Sequence, residues 1–281
     1  MAESVKRVMV AADAERPEMR SAAEEFAASL EGKADTTIVD THDGKALSEA
    51  DADVLVVFGG DGSMLAVARG LEGNPVPVVG VNLGRFGFLT HFSAATIERD
   101  FASVLAGDMD IRRWMMLKCS VTGTSGESFT GTALNDVVIG TGPVSRMVSV
   151  ELHVNGEHAA TYRGDGVIVA SPAGSTAHSL SAGGPIVSPA MEAFVLTPVC
   201  PHTLTDRPLV VPSGAKVMLR PGGDTSLALD GQVTCGISEG DEVTVERAPS
   251  TFNVVANARR TYYSLLKDKL NWGRPPAYGQ D

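Results

Sequence analysis

The run Asp53-Val54-Leu55-Val56-Val57-Phe58 ends directly in Gly59-Gly60-Asp61-Gly62-Ser63. The apolar stretch from Val54 to Phe58, rich in β-branched residues, reads as a buried strand. A strand covered on both faces needs helices around it, and the flanking sequence supplies them. Pro17 to Leu30 carries Met19, Ala22, Ala23, Phe26 and Leu30 at helical spacing. Ser63 to Gly70 carries Met64, Leu65, Val67 and Ala68, so a helix is expected to follow the glycine loop. Val5 to Val10, Thr36 to Val39 and Pro77 to Val81 read as further strands, and Ser93 to Leu105 as a helix with Ser93 as its N-cap. Strands alternating with helices over residues 1–107 predict a mostly parallel sheet with helices on its faces.

After Asp108 the texture changes. Trp114 to Thr122, Ser128 to Gly140, Val148 to Val154, His158 to Val169, Lys216 to Leu219 and Val243 to Glu246 read as strands. Asn155-Gly156 marks a tight hairpin between two of them. No long helical pattern interrupts this region, so an antiparallel sandwich-like arrangement is expected. Arg259 to Trp272 is helical again. The expected division is an α/β domain over 1–110, a β-rich domain over 111–257, and a helical tail over 258–281 that returns to the first domain.

Charge and cysteine usage narrow the function classes. The chain has 34 carboxylates against 23 Lys and Arg, a formal net charge of −11, which argues against a nucleic-acid surface. A phosphate site would have to be built from backbone amides and a few local cations. No run reaches the length of a membrane span and no secretory pattern opens the chain, so a cytoplasmic protein with no membrane partner is expected. The three cysteines, Cys119, Cys200 and Cys235, are far apart and odd in number, which fits reduced thiols. The six histidines, His42, His91, His153, His158, His178 and His202, show no metal-ligand spacing, so no metal site built from a side-chain cluster is expected.

Two segments carry the chemistry. In the first, Gly59, Gly60 and Gly62 let backbone amides approach phosphate oxygens. A helix starting near Ser63 aims its N-terminus at the same place. Asp61 then sits at the carboxyl end of a parallel strand, where open α/β sheets bind ligands. A tight strand-to-helix turn with a solvated Asp is the plainer alternative. The loop is neither a Walker A sequence nor a dinucleotide fingerprint, because Leu65 stands where the last glycine should be. The second segment runs from Gly164 to Pro185 and has almost no large side chain between Ser171 and Ser179 apart from His178. It buries little apolar area, so close approach to a ligand accounts for it better than packing does. Asn135-Asp136 places two polar residues within an apolar strand, as a bulge or a strand end also would. Arg146 and Arg163 are local cations suited to a pyrophosphate, though arginines are commonly plain surface residues. Leu229-Asp230-Gly231-Gln232 reads by itself as an ordinary turn.

The chain resembles the NAD kinases. The resemblance spans nearly its whole length: Gly59 to Ser63, Asn82 to Thr90, Ala133 to Asp136, Gly164 to Pro185, Pro201 to Leu204 with Arg207 to Val210, and Asp230. The resemblance implies an α/β N-terminal domain joined to a β-rich, NAD-binding C-terminal domain. It implies transfer of a phosphoryl group from ATP or polyphosphate to the 2′-hydroxyl of the adenosine ribose of NAD, with Mg2+ or Mn2+ carried by the donor. Asp61 is implied as the catalytic carboxylate, with Gly59, Gly60, Gly62 and Ser63 as the phosphate-donor loop. Asn135 and Asp136 are implied to contact ribose and adenine. Gly62, Arg146, Arg163, Asp165, Thr176, Ala177, His178, Ser179, Leu180 and Ser181 are implied to line the dinucleotide site, with Asp230 and Gln232 nearby. A homo-oligomer, dimer or tetramer, is implied as well. The competing readings are a lipid-kinase-like phosphotransferase, which shares the glycine loop, and a catalytically silent NAD or NADP sensor.

Several positions depart from the family pattern. Ala173 replaces a usual Thr, Asp136 a commoner Glu, and His91 a frequent Asp. His178 stands where the family usually has a Tyr that stacks on adenine. Imidazole stacks with less area and gains charge as pH falls. Weaker or more pH-sensitive NAD binding is therefore expected. Comparing KM for NAD at pH 6 and pH 8 in wild type and His178→Tyr checks this, and identical profiles would refute it.

Overall fold

The computed structural model describes residues 5–84, 87–124, 126, 128–140, 147–257 and 259–271. In the first part, β1 (Arg7–Ala12), α1 (Pro17–Ser29), β2 (Asp35–Asp40), α2 (Gly44–Ser48), β3 (Val54–Phe58), α3 (Asp61–Gly70) and β4 (Val78–Asn82) follow one another; all but the short α2, which was not anticipated, are as the periodicity predicts. Strands β1 to β4 are parallel, in spatial order β2-β1-β3-β4. Every residue of β3 and of β4 is buried, which is why both read as continuous apolar runs. Pro17 occupies the first turn of α1, where its missing amide costs nothing.

The expected helix from Ser93 to Leu105 is not formed as one piece. Phe92 and Ser93 make a short strand, β5 (Phe92–Ser93), parallel to β4, and two short helices follow, α4 (Ile97–Asp100) and α5 (Ala102–Leu105). Ser93 is in the strand rather than at a helix cap, and its hydroxyl accepts from the Ala95 amide at 3.3 Å. Its strand pairing to Asn82 outweighed local helix chemistry.

The second part is β6 (Asp110–Thr122), β7 (Ser128–Ala133), β8 (Asp136–Gly140), β9 (Val148–Val154), β10 (Glu157–Gly164) and β11 (Gly166–Ala170). A single 3-10 turn (Gly174–Thr176) and α6 (His178–Ser181) follow, then β12 (Ala193–Val199), β13 (Leu209–Pro212), β14 (Val217–Pro221), β15 (Thr225–Leu229), β16 (Val233–Ile237), β17 (Glu242–Ala256) and α7 (Tyr262–Leu270). Asn155 and Gly156 both have positive φ, +52° and +84°, and join β9 to β10 as the sequence predicts.

Two expected strands are each broken in two. Ser128 to Gly140 divides into β7 and β8, and His158 to Val169 divides into β10 and β11. In both cases the first piece joins the larger sheet and the second the smaller one. The larger sheet also takes in the first domain's strands, because β17 runs parallel to β4 and antiparallel to β6. The smaller sheet is antiparallel in order β13-β12-β11-β8-β15-β16. Inward side chains from both sheets form one core, with Leu117, Leu152, Leu219 and Val245 facing Ile139, Val169, Phe194 and Leu227. That is the sandwich the second half was expected to make. Strands β12, β13 and β16 were not anticipated.

Helix α7 is shorter than expected at both described ends, and Trp272 lies outside the described residues. Thr261 caps it by accepting from the Ser264 amide at 3.1 Å. Arg259 pairs with Asp100 at 3.3 Å, and the Tyr262 hydroxyl donates to the Val187 carbonyl at 3.4 Å. Among the described residues no helix is long and apolar enough to cross a membrane.

Candidate active site

Strand β3 ends at Phe58, and the chain turns through Gly59 and Gly60 into α3, whose first residue is Asp61. Gly60 is extended (φ −96°, ψ −166°) and leads the helix with no side-chain cap. The Gly59 amide donates to the Val81 carbonyl at 2.9 Å, which keeps the loop in the frame of the sheet. Asp61 reaches across to the loop after β4. Its Oδ2 accepts from the Phe88 amide at 2.9 Å and its Oδ1 from the Leu89 amide at 3.0 Å. Each oxygen keeps a further lone pair, so the carboxylate is aimed but not used up. A Cβ on Gly87 would lie 1.7 Å from Asp61 Oδ1. Only glycine allows the loop to close over that carboxylate.

Asn135 and Asp136 sit where the chain leaves β7 for β8. Their backbone amides are taken by a buried carboxylate. Asp230 Oδ1 accepts from Asn135 at 2.7 Å and from Asp136 at 3.2 Å, and Oδ2 accepts from Leu134 at 3.1 Å. The Asp230 amide donates back to the Asp136 carbonyl at 2.9 Å. Arg69 Nη1 of α3 lies 3.0 Å from Asp230 Oδ2, whose side chain is fully buried. Gln232 accepts from Arg69 Nη2 and donates from Nε2 to the Gly62 carbonyl at 3.0 Å. The residue that reads as a turn in sequence is thus a staple between the strand switch and α3.

With its backbone held, the Asn135-Asp136 pair leaves two polar atoms unmatched. Asn135 Oδ1 and Asp136 Oδ2 are buried and have no hydrogen-bond partner. Buried acceptors rarely go unpaired, so these two point to a ligand with hydrogen-bond donors. His178 Nδ1 lies 3.4 Å from each oxygen of Asp136. Burial pushes the Asp136 carboxyl up to about 6, against the pull of His178 and with a further push from Asp230.

The small-residue segment lies against these fingers. The Ser171 amide donates to the Asn135 carbonyl at 2.8 Å, and the Gly174 amide to Ser171 Oγ at 3.1 Å. A Cβ on Gly174 would lie 2.0 Å from the Asn135 carbonyl oxygen. Within Thr176 to Ser181 the side chains divide. Ser179 is fully buried, with its hydroxyl 2.9 Å from Thr197 Oγ1, so it braces the segment from inside. Thr176, Ala177 and Leu180 are half-buried, and His178 and Ser181 are exposed. Ala173 and Thr176 also border a cavity of about 300 Å3 whose other walls include Phe88, Leu89, His91 and Trp114. The loop that holds Asp61 and the glycine-rich segment therefore share one open space. Burial and the charge of Arg112 push the His91 imidazole down to about 4, so it is neutral there.

Arg163 and Asp165 are not brought to this cluster. Both are exposed at the Gly166 end of β11, whereas Ala170, paired with Asp136, is at the other end, about 13 Å away along the strand. Arg146 lies outside the described residues, as do Arg85 and Phe86 of the Asn82 to Thr90 stretch.

Residues 1–109 match the ATP-NAD kinase N-terminal domain and residues 134–257 match the ATP-NAD kinase C-terminal domain. The chain belongs to the NAD kinase family. It is 38% identical over 282 residues to the NAD kinase of Geobacter sulfurreducens, covering 96% of this chain and 99% of that one. It is 37% identical over 286 residues to the NAD kinase of Citrifermentans bemidjiense, with 96% and 99% covered. Among solved structures, an NAD kinase from Archaeoglobus fulgidus in complex with ATP superposes with a TM-score of 0.78 at 26% identity, covering 90% of this chain and 94% of that one. Yeast NADH kinase complexed with NADH shares the fold, with a TM-score of 0.89 at 24% identity and coverage of 97% and 89%.

As an enzyme of this family the chain has supporting residues that the sequence did not flag. Arg69 stands seven positions after Gly62, two helical turns on and so on the same face. That spacing was a readable signal. The Phe88 and Leu89 amides gave none, because backbone groups leave no mark in a side-chain pattern.

Two outcomes follow for this site. Gly87→Ala should fold but lose activity by on the order of 10²-fold, because Asp61 must move by an ångström or more; unchanged kcat would contradict the clasp. For Asp136 the folded pKa lies above the unfolded one, so its stability contribution is full below about 4 and is lost as pH rises through about 6. Asp136→Asn should therefore gain stability relative to wild type across that window, by on the order of 2 kcal/mol. Urea unfolding at pH 4, 5, 6 and 7 checks the sign.

Proposed function

We propose that this enzyme transfers the terminal phosphoryl group of ATP to the 2′-hydroxyl of the adenosine ribose of NAD, giving NADP. The observation that carries the reading is the pair of buried, unpartnered acceptors on Asn135 and Asp136, tied by Asp230 to the helix that begins at Asp61. Ribose hydroxyls and an exocyclic amine supply the donors such acceptors lack. NAD kinase relatives over nearly the full chain agree with that acceptor, and the ATP complex of the Archaeoglobus enzyme agrees with that donor.

A secondary alcohol is a poor nucleophile at neutral pH. Asp61, fixed by two amides and keeping free lone pairs, accepts the hydroxyl proton or orients it as the oxygen attacks. The remaining demands of phosphoryl transfer are in-line placement and charge neutralisation. The amides of Gly60, Gly62 and Ser63 at the N-terminus of α3 would cradle donor phosphates, while the Gly59 amide, given to the Val81 carbonyl, holds the loop's frame. Among the described residues no group of three or more His, Cys, Asp or Glu could hold a metal ion. The divalent ion, Mg2+ or Mn2+, is read from the family resemblance as part of the donor substrate, where it would neutralise phosphate charge.

The test is turnover of NAD with ATP and Mg2+, read as NADP by an NADP-specific dehydrogenase, beside Asp61→Asn. Wild-type turnover and a loss of about 10²–10⁴-fold in the variant are expected. Activity with polyphosphate alone would correct the donor, and NAD binding without turnover by either donor would make the chain a sensor.

A further inference from the structure

The cluster around Asp230 contains a cation that neither the family pattern read from the sequence nor the proposed chemistry uses. Arg69 is in the last turn of α3, and Asp61 opens the same helix. Its side chain is 16% exposed and forks: Nη1 pairs with Asp230 at 3.0 Å and Nη2 donates to Gln232. Each of those partners makes a second connection. Asp230 holds the amides of Leu134, Asn135 and Asp136. Gln232 holds the Gly62 carbonyl, one residue after Asp61, at 3.0 Å. The two connections diverge from one guanidinium, one to the acceptor fingers and one to the start of the catalytic helix.

We propose that Arg69 is a positioning residue that sets the separation of Asp61 from the Asn135-Asp136 pair, and that it touches neither substrate. The proposal rests on the functional reading above. Without the fork, the polar tie from the β15–β16 turn to α3 that remains among the described residues is the neutral Gln232 contact to the Gly62 carbonyl. Asp230 and Gly231 both take positive φ, +52° and +64°, as the central residues of a tight hairpin turn do, so the turn moves as a unit. Sliding this turn along the helix shifts Asn135 and Asp136 relative to Asp61 while leaving each individually intact. Lysine cannot replace the arrangement fully, because one ammonium on a flexible stem does not reproduce a planar fork with two fixed donors.

The experiment compares wild type, Arg69→Met, Arg69→Lys, Gln232→Leu and the double variant Arg69→Met with Gln232→Leu. Kinetics with NAD and ATP are measured alongside hydrogen exchange of the peptides containing Gly59 to Met64 and Leu134 to Asp136. In Arg69→Met, kcat should fall by on the order of 10²-fold, as for misplacement of about an ångström, with KM for ATP unchanged. Both peptides should exchange faster. Arg69→Lys should keep the Asp230 pairing and lose less kcat than Arg69→Met and no more than Gln232→Leu. The double variant should lose less than the sum of the two single losses, because both residues act on one tie between the turn and α3. Wild-type kcat in Arg69→Met, fully additive losses in the double variant, or faster exchange throughout the chain would overturn the proposal. If Arg69→Met fails to fold, the Lys and Gln232 variants make the same comparison. If wild type turns over no NAD, the functional reading fails alone, and exchange at the two peptides still decides whether Arg69 couples them.

Discussion

The site depends on one buried carboxylate. Asp230 is sealed from solvent and accepts three backbone amides and one guanidinium. Each such charge-assisted bond is worth on the order of 1.5–3 kcal/mol, and leaving the group unpaired would cost more than any one of them returns. These bonds also explain a feature of the fold. The amides of Leu134, Asn135 and Asp136 cannot both serve Asp230 and continue a ladder, so the strand breaks there. The chain then passes from one sheet to the other. The break is what presents Asn135 and Asp136 side by side at the mouth of the sandwich.

The large sheet provides the second constraint. Strand β17 lies antiparallel to β6 over nearly its whole length and parallel to β4 at its end. The strands of the first part and of the second are therefore one continuous surface. This fixes α3, which rides on β3 and β4, with respect to the strand switch at Asn135. A phosphoryl-transfer site needs that fixity, because its catalysis is mostly placement. The bonds from α3 to the β15–β16 turn then refine a geometry that the sheet has already set coarsely.

Much of this was legible in the sequence because it was local. The buried strand before Gly59, the helix after it, the Asn155-Gly156 hairpin and the amphipathic α1 all rest on residues within a few positions of one another. The small-residue segment was read as lying against a ligand; inside the chain, its Gly174 lies against the Asn135 carbonyl, where a Cβ would stand 2.0 Å away. What failed was non-local. Ser93 looked like a helix cap until β4 claimed it as a strand partner. Ser128 to Gly140 looked like one strand because the carboxylate that breaks it is about a hundred residues away. Nor did the sequence show that the Ser179 hydroxyl turns inward to Thr197, 18 residues on.

By itself the sequence determined most of the strand and helix alternation as far as β4, the change to β structure after Asp108, and which segments are rich in small residues or carry a carboxylate after a buried strand. Those are properties of periodicity, side-chain volume and backbone freedom, all carried by neighbours in the chain. Only the tertiary structure decided that Asp230 is a staple rather than a turn, that Arg69 joins it, that the loop at Phe88 and Leu89 holds Asp61, and that Arg163 and Asp165 stand at the far end of β11. Each of these is a meeting of groups far apart in sequence. Hydrogen-bond geometry over a few ångströms decides such a meeting, and no local pattern encodes it.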